Sequence, residues 1–220
     1  MSGESINAVG QLPPREELNV SLDVSDLSDT WQDQLRRWLT EATEAGLAEP
    51  TGMVLATADT DGAPSTRTVL CKTIDSRGVV FYTNYTSAKS RDLRVNQRAS
   101  VTFPWFALKR QVHLTGPVTQ ISREESEVYW TTRPRGSQLG AWASPQSTVM
   151  SSRQTLENSL DAVTRQFRET EKVPLPRHWG GWLLRPERVE FWQGRPDRMH
   201  DRLRFDRNQD GRWVVRRLAP

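Results

Sequence analysis

Met53-Val-Leu-Ala-Thr-Ala58, Asp61-Gly62, Thr66-Arg-Thr-Val-Leu-Cys-Lys-Thr-Ile74, Ser76-Arg-Gly78 and Val79-Val-Phe-Tyr-Thr83 follow one another in a single stretch. Three apolar or β-branched runs alternate with turn residues, and Asp-Gly between two such runs is a hairpin signal. The stretch therefore predicts antiparallel strands. Downstream, a short helix is expected over 87–95, then strands over 99–106 and 111–121. Ser122 with Glu125 reads as a capping box for a helix running to Thr132. Ser151 with Gln154 reads as a second box, opening a helix that carries Leu156, Leu160, Val163 and Phe167 on one face. After the link Val173-Pro-Leu-Pro-Arg-His-Trp-Gly-Gly181, strands return at 182–185, 187–193, 200–206 and 212–217.

Upstream, Ser28 or Asp29 is placed to cap a helix in which Trp31, Leu35, Trp38, Leu39 and Ala42 recur at helical spacing, and Gly46 ends it. Residues 1–27, with Pro13-Pro14 and few periodic apolar positions, read as a flexible N-terminal arm. Residues 28–220 then form one domain. Strands, helices and strands again define an α+β chain, an antiparallel barrel or sheet with flanking helices. A parallel nucleotide-binding sheet is disfavoured, because no strand leads into Gly-x-Gly-x-x-Gly or a P-loop.

The 220 residues suffice for one sizeable core, and nine tryptophans argue against disorder despite a mean hydropathy of -0.68. No apolar run is long enough to span a bilayer and the N-terminus lacks a signal-peptide core, so a cytoplasmic protein without a membrane partner is expected. Cys71 is the one cysteine, which excludes an internal disulfide and a cysteine-based metal cluster. The pI is about 9.3, yet 30 basic residues against 27 acidic ones leave a net charge of only +3 without a basic block. Small anions suit that balance better than nucleic acid.

Three clusters carry candidate chemistry. In Arg67-Thr-Val-Leu-Cys-Lys72, with Tyr82-Thr83 and Ser87-Ala-Lys89, cations, hydroxyls and a helix start converge as a phosphate site needs. Arg67 and Lys72 are five apart and would face opposite sides of a regular strand, so either the strand bulges or the two serve different parts of a ligand. In Tyr129-Trp-Thr-Thr-Arg133-Pro-Arg-Gly-Ser137, Tyr129 and Arg133 share a helix face and lead into a turn bearing guanidiniums and a hydroxyl. In Arg198-Met-His-Asp-Arg-Leu-Arg204, a strand would align Arg198, His200, Arg202 and Arg204 on one side. Cations on solvated strand faces explain Arg67 or Lys72 taken singly. An arginine suited to a helix end explains Arg133 but not the polar groups strung around it, and charges that protect an edge strand explain the third row. Trp38, Trp105, Trp142 and Trp213 suit core or interface packing, as His113 and His178 suit structural roles.

These clusters join Phe103-Pro-Trp105, Arg110-Gln-Val112, Gln138-Leu-Gly-Ala-Trp142, Gln146-Ser147, Pro174-Leu-Pro176, Glu190-Phe-Trp-Gln-Gly194 and Arg217-Leu-Ala-Pro220 in one order. From about residue 30 onward the chain resembles the pyridoxamine (pyridoxine) 5'-phosphate oxidases. The resemblance implies a split-barrel homodimer with FMN at the subunit interface. It implies oxidation of pyridoxine or pyridoxamine 5'-phosphate to pyridoxal 5'-phosphate, with dioxygen reduced to hydrogen peroxide. Carried over by motif, Arg67, Thr68, Val69, Leu70, Lys72, Tyr82, Thr83, Lys89, Gln111, Gln146, Ser147, Trp192 and Arg202 would hold FMN. Lys72, Tyr129, Arg133, Ser137, Arg198 and His200 would hold the substrate, with Arg198 and His200 as the catalytic pair that clamps its ring. Two departures stand out. The arm reads Pro14-Arg-Glu-Glu17 where the family offers an Arg and a Tyr, and Ala88 stands where the family often has a second phosphate-binding Arg. Two other readings remain beside this one: a related flavin oxidase of a secondary metabolite such as a reduced phenazine, and a non-catalytic protein that stores FMN or pyridoxal 5'-phosphate.

Overall fold

In the computed structural model, residues 20–220 are described; the atypical stretch Pro14–Glu17 lies outside them. Ten strands make one antiparallel sheet that curls into a split barrel. They are β1 (Gly52–Ala58), β2 (Pro64–Leu70), β3 (Thr73–Ile74), β4 (Val79–Asn84), β5 (Arg98–Trp105), β6 (Arg110–Gln120), β7 (Trp179–Leu184), β8 (Arg188–Gln193), β9 (Asp201–Arg207) and β10 (Trp213–Arg217). The order is β10-β9-β8-β6-β5-β1-β2, with β7 pairing to both β4 and β6. The Asp61-Gly62 signal holds: Gly62 takes φ 81, and the Asp59 carboxylate accepts the Asp61 and Ala63 N–H groups, both at 2.9 Å.

β6 makes the barrel's corner. Its first half, through Thr115, pairs with β8, whereas Val118–Gln120 pair with β7. The switch falls at Gly116, where a Cβ would lie 2.1 Å from the Arg185 carbonyl oxygen; only glycine admits that approach.

Alternation builds the core. Met53, Leu55, Val101, Phe103, Val112, Leu114, Val189, Phe191, Leu203 and Phe205 are buried from five neighbouring strands. They pack on α1 (Trp31–Glu44), whose Trp31, Leu35, Trp38 and Ala42 form its buried stripe. Trp38 meets Phe191 edge-on, with centroids 5.2 Å apart. Thr30 caps α1 rather than Ser28 or Asp29, and its side chain accepts from the Asp33 N–H. A second cluster of Trp130, Leu139, Phe167, Val173, Leu175 and Trp179 covers β7 from the other side. The tryptophan expectations hold for Trp38 and Trp105, which are buried, and Trp213 packs edge-on against Trp31. Trp142 joins the second cluster and donates to the Pro174 carbonyl.

The remaining helices are α2 (Ala88–Val95), α3 (Arg123–Thr132), α4 (Arg135–Ala143) and α5 (Arg153–Gln166). The Ser122–Glu125 capping box is present. The second box is not: Ser152 caps α5 by accepting from the Thr155 N–H. None of α5's residues is fully buried; half-buried Val163 packs against the second cluster, and Phe167 just past the helix end is buried in it.

Two other expectations change. Arg133-Pro-Arg-Gly-Ser is not a free turn, since α4 starts at Arg135 directly after Pro134, whose ring suits the entry to a helix. The row Arg198, His200, Arg202, Arg204 is not one strand face either. β9 begins only at Asp201, and Arg198 lies in a tight turn with φ 61, next to Asp197 at φ 53. Arg202 and Arg204 do share a face. Residues 20–27, which the sequence reading gives to the arm, lie against the body here. Leu22 is buried, its N–H donates to Asp201 at 3.1 Å, and Asp23 pairs with Arg217 at 3.1 Å. Among the described residues no helix is long and apolar enough to cross a membrane.

Candidate active site: two cavities

The first cavity, of about 570 Å³, lies where β2, β4, α2, α3 and α4 meet. It is lined by Arg67, Thr68, Val69, Leu70, Lys72, Tyr82, Thr83, Lys89, Tyr129, Arg133, Pro134, Ser137 and Gln146. Four cations enter it and no carboxylate lines it. β2 ends at Leu70, so Lys72 is released from strand alternation and reaches the same cavity as Arg67. That resolves the five-residue spacing without a bulge.

Each cation is held differently. Arg67 donates to Thr57 Oγ1 and Ser65 Oγ, both at 2.6 Å, and lies 3.9 Å from Asp92. Lys89 is buried at the start of α2, whose N-cap Ser87 makes no side-chain capping bond. Its Nζ reaches Gln146 Oε1 at 3.0 Å and Thr83 Oγ1 at 3.2 Å, and Thr83 also donates to Gln146. Burial, with the Arg67 charge nearby, pulls the Lys89 ammonium down to about 8. Arg133, the residue after α3, lies over the Trp179 ring at 4.5 Å and donates to the Ser137 carbonyl at 3.0 Å. Its Nε is buried without an acceptor, and burial lowers its basicity. Tyr82 and Tyr129 stack beside it, with centroids 4.0 Å apart, and burial pushes the Tyr82 hydroxyl up to about 12. Among the described residues, Lys72, Lys89 and Arg133 have no carboxylate within ion-pair distance, and Asp92 is the one near Arg67. The donor set fits a phosphate ester: buried Lys89, half-buried Arg67 and Arg133, exposed Lys72, hydroxyls and an open helix N-terminus suit an anion. Ala88 adds no side-chain donor.

The second cavity, of about 590 Å³, is lined by Pro104, Phe106, Lys109, Arg110, Gln111, Trp192, Gly194, Arg195 and His200. Register brings these together: Gln111 lies opposite Trp192 on β6 and β8, and Trp192 opposite Arg202 on β9. The Trp192 ring stands 4.7 Å from the His200 imidazole. The two linings share no residue, so one chain does not bring Arg133 and His200 into a common cleft.

Three candidates line neither cavity. Arg198 is exposed, and Ser147 is exposed with φ 69. Arg202 is clasped by Glu190 at 2.7 and 3.1 Å and donates to the Ala219 carbonyl. Sequence reasoning missed Asp92, Thr57, Glu190 and Arg195 as partners of site residues. Glu190 gave no local signal, since strand 188–193 carries one Arg and one Glu and its pairing with Arg202 depends on the register of the next strand. His113 bonds Ser100 at 2.5 Å and His178 contacts the Ala141 carbonyl oxygen at 3.1 Å, so both make structural contacts away from either cavity.

The curl of the sheet and the cation-lined cavity define a split-barrel protein of the flavin-binding kind. A solved structure from Nostoc punctiforme, described as a pyridoxamine 5'-phosphate oxidase-related, FMN binding protein, shares that fold with a TM-score of 0.70 at 18% identity, covering 89% of this chain and 99% of its own. PhzG from Burkholderia lata, solved with tetrahydrophenazine-1-carboxylic acid, superposes with a TM-score of 0.83 at 31% identity, covering 89% of this chain and 95% of its own. The family model "Pyridoxamine 5'-phosphate oxidase" matches residues 39–167, and "Pyridoxine 5'-phosphate oxidase C-terminal dimerisation region" matches 179–220. A pyridoxine/pyridoxamine 5'-phosphate oxidase of Saccharopolyspora erythraea is 61% identical over 201 residues, 91% of this chain and 90% of its own. One from Mycobacterium sp. strain JLS is 54% identical over 202 residues, 92% and 94% respectively. The chain belongs to the pyridoxamine 5'-phosphate oxidase family, and it is an oxidoreductase.

Proposed function

We propose that this chain oxidises pyridoxine 5'-phosphate or pyridoxamine 5'-phosphate to pyridoxal 5'-phosphate, using FMN and dioxygen and releasing hydrogen peroxide. The observation that carries the reading is the first cavity, where four cations gather without a lining carboxylate. A phosphate monoester carries about −1.5 to −2 charges near neutral pH, so two such groups call for several cations. FMN, when bound, supplies the two-electron oxidation. Lys89, Thr83, Arg67 and the first turn of α2 would hold its phosphate, while Arg133, Tyr129, Ser137 and Lys72 would hold the substrate's.

His200 and Trp192 belong to the second cavity, which in a homodimer would close over the partner's first cavity. The match of 179–220 to a dimerisation region supports the homodimer on which that arrangement rests. Trp192 would then pack on the cofactor, and Arg198 and His200 would position the substrate ring. Such positioning gives proximity its large share of the barrier.

A phenazine-type substrate is the second reading, favoured by the likeness to PhzG at 31% identity. Its carboxylate would bring Arg133 and its neighbours a single charge where the cavity gathers four cations, and the relatives at 54% and 61% identity carry the phosphate-ester name. The test is a visible spectrum of the purified protein, followed by peroxide release with pyridoxamine 5'-phosphate. A yellow protein that releases peroxide is expected. A yellow protein without peroxide points to storage, and one that cannot be loaded with FMN overturns the proposal.

A further inference from the structure

We infer that His200 is held as one neutral tautomer, with its proton on Nε2, so that the ring offers the second cavity a hydrogen-bond donor and not a base. The backbone N–H of Arg195 points at His200 Nδ1 from 3.0 Å. A backbone amide only donates, so Nδ1 must accept and carries no proton. The remaining proton of the neutral ring then sits on Nε2. Turning the ring over would put a carbon in front of the Arg195 N–H and leave that donor unpaired, so the ring's orientation is fixed by the same contact. Among the described residues nothing bonds His200 Nε2, and the ring is part of the cavity lining.

The loop is built to keep that contact. Asp197 and Arg198 hold successive left-handed conformations, at φ 53 and φ 61. For residues with a Cβ this costs on the order of 1 kcal/mol each, so the surroundings must hold the turn. The Gly194 N–H anchors one end on the Lys109 carbonyl at 2.7 Å. Asp201 anchors the other: its carboxylate takes the Leu22 N–H at 3.1 Å and Arg217 at 2.9 Å, and lies 3.7 Å from Arg195 Nε. Asp201 is thus a positioning residue that steadies Arg195, and through it the imidazole. Trp192 packs against the ring from β8, and Lys109, Arg110 and Arg195 are the charged groups that share its cavity.

The assignment rests on the proposed oxidase reading only where it says that the donor meets a substrate; the tautomer itself does not. The test is a long-range ¹H–¹⁵N correlation spectrum of the labelled, FMN-loaded protein at about pH 8.5, two units above an ordinary imidazole. The chain has three histidines, and His200→Gln identifies the third signal by its loss. Expected are a protonated Nε2 and a pyridine-like Nδ1, with Asp201→Asn averaging the two as the loop loosens. A protonated Nδ1, or averaged signals in the unaltered protein, overturns the inference. Two variants then read the donor role. His200→Gln places an amide N–H near Nε2, and His200→Asn places one near Nδ1. A lost hydrogen bond of about 1–2 kcal/mol is roughly a 5- to 30-fold rise in KM, expected for Asn and largely spared for Gln. Equal losses, or a better Asn variant, overturn the donor role. A protein with the stated tautomer but no oxidase activity would sink the proposed function and leave the tautomer standing.

Discussion

The first cavity is a charge trap built on helix starts and a strand end, whereas the second is a shelf built on cross-strand register. In the first, Lys89 and Arg133 keep charges that no neighbouring carboxylate neutralises. In the second region, charge is spent internally: Arg202 is clasped by Glu190, Arg204 lies 2.9 Å from Asp206, and Arg217 bridges Asp23 and Asp201. Unspent charge suits binding an anion, and spent charge suits holding a shape. The two regions therefore divide the work into capture and positioning, and altering each should fail in a different way.

The largest effect should come from combining the failures. Lys89→Ala is expected to lose cofactor, and Arg198→Ala to lose turnover by roughly 100-fold, the scale of misplacing reacting groups by about 1 Å, with FMN still bound. If each site joins one protomer's first cavity to its partner's second, a mixed dimer of these two variants holds one doubly damaged site and one intact site. Random mixing then restores roughly a quarter of full activity, since about half the dimers are mixed. Activity of re-mixed variants measures this. Recovery no greater than the sum of the two variants would place the whole site within one chain and break the comparison.

Lys89→Ala alone sharpens the capture half. A hydrogen bond to a charged group is worth about 1.5–3 kcal/mol, so the FMN dissociation constant should rise roughly 10- to 150-fold, read by flavin fluorescence. Retention should also depend on pH in the unaltered protein. The Lys89 ammonium is pulled down to about 8, so below that pH it is already charged and ready for phosphate. Above it the apoprotein must take up a proton on binding, and affinity should fall by up to about tenfold per pH unit. Lys89→Arg, which stays charged, should flatten that fall; a flat profile in the unaltered protein would assign the charge to another group.

The contrast also explains what the sequence could and could not disclose. Strand alternation and turn residues gave the antiparallel strands, because period-two burial and an Asp-Gly turn are local signals, whereas the curl into a split barrel was implied only by the family resemblance. The first cavity was legible because most of its cations sit at a boundary between elements: Lys72 just past the end of β2, Lys89 at the start of α2 and Arg133 between α3 and α4, with Arg67 projecting from the middle of β2. The second was misread at Arg198 because its position depends on two left-handed residues, which no periodicity announces. Alternation was continued through a turn that breaks it. Glu190 was hidden in a different way, since its partner Arg202 lies on the next strand and register is a property of the pairing.

The smallest expected effect tests the spent charge. Glu190 is buried and offers Arg202 both carboxylate oxygens; this contact raises Arg202's basicity. Glu190→Gln keeps the shape and one acceptor but leaves the half-buried guanidinium without its counter-charge. The loss should be about 1–3 kcal/mol of stability, seen as a lowered Tm, with Lys89-dependent FMN capture unchanged at temperatures where the variant is folded. Glu190→Leu, which fills the space without an acceptor, should cost more, because an unpaired charge near the core is worse than a weakly paired one. If instead Glu190→Gln left Tm untouched and weakened FMN binding, Arg202 would be working on the cofactor. The second region would then carry capture as well as positioning.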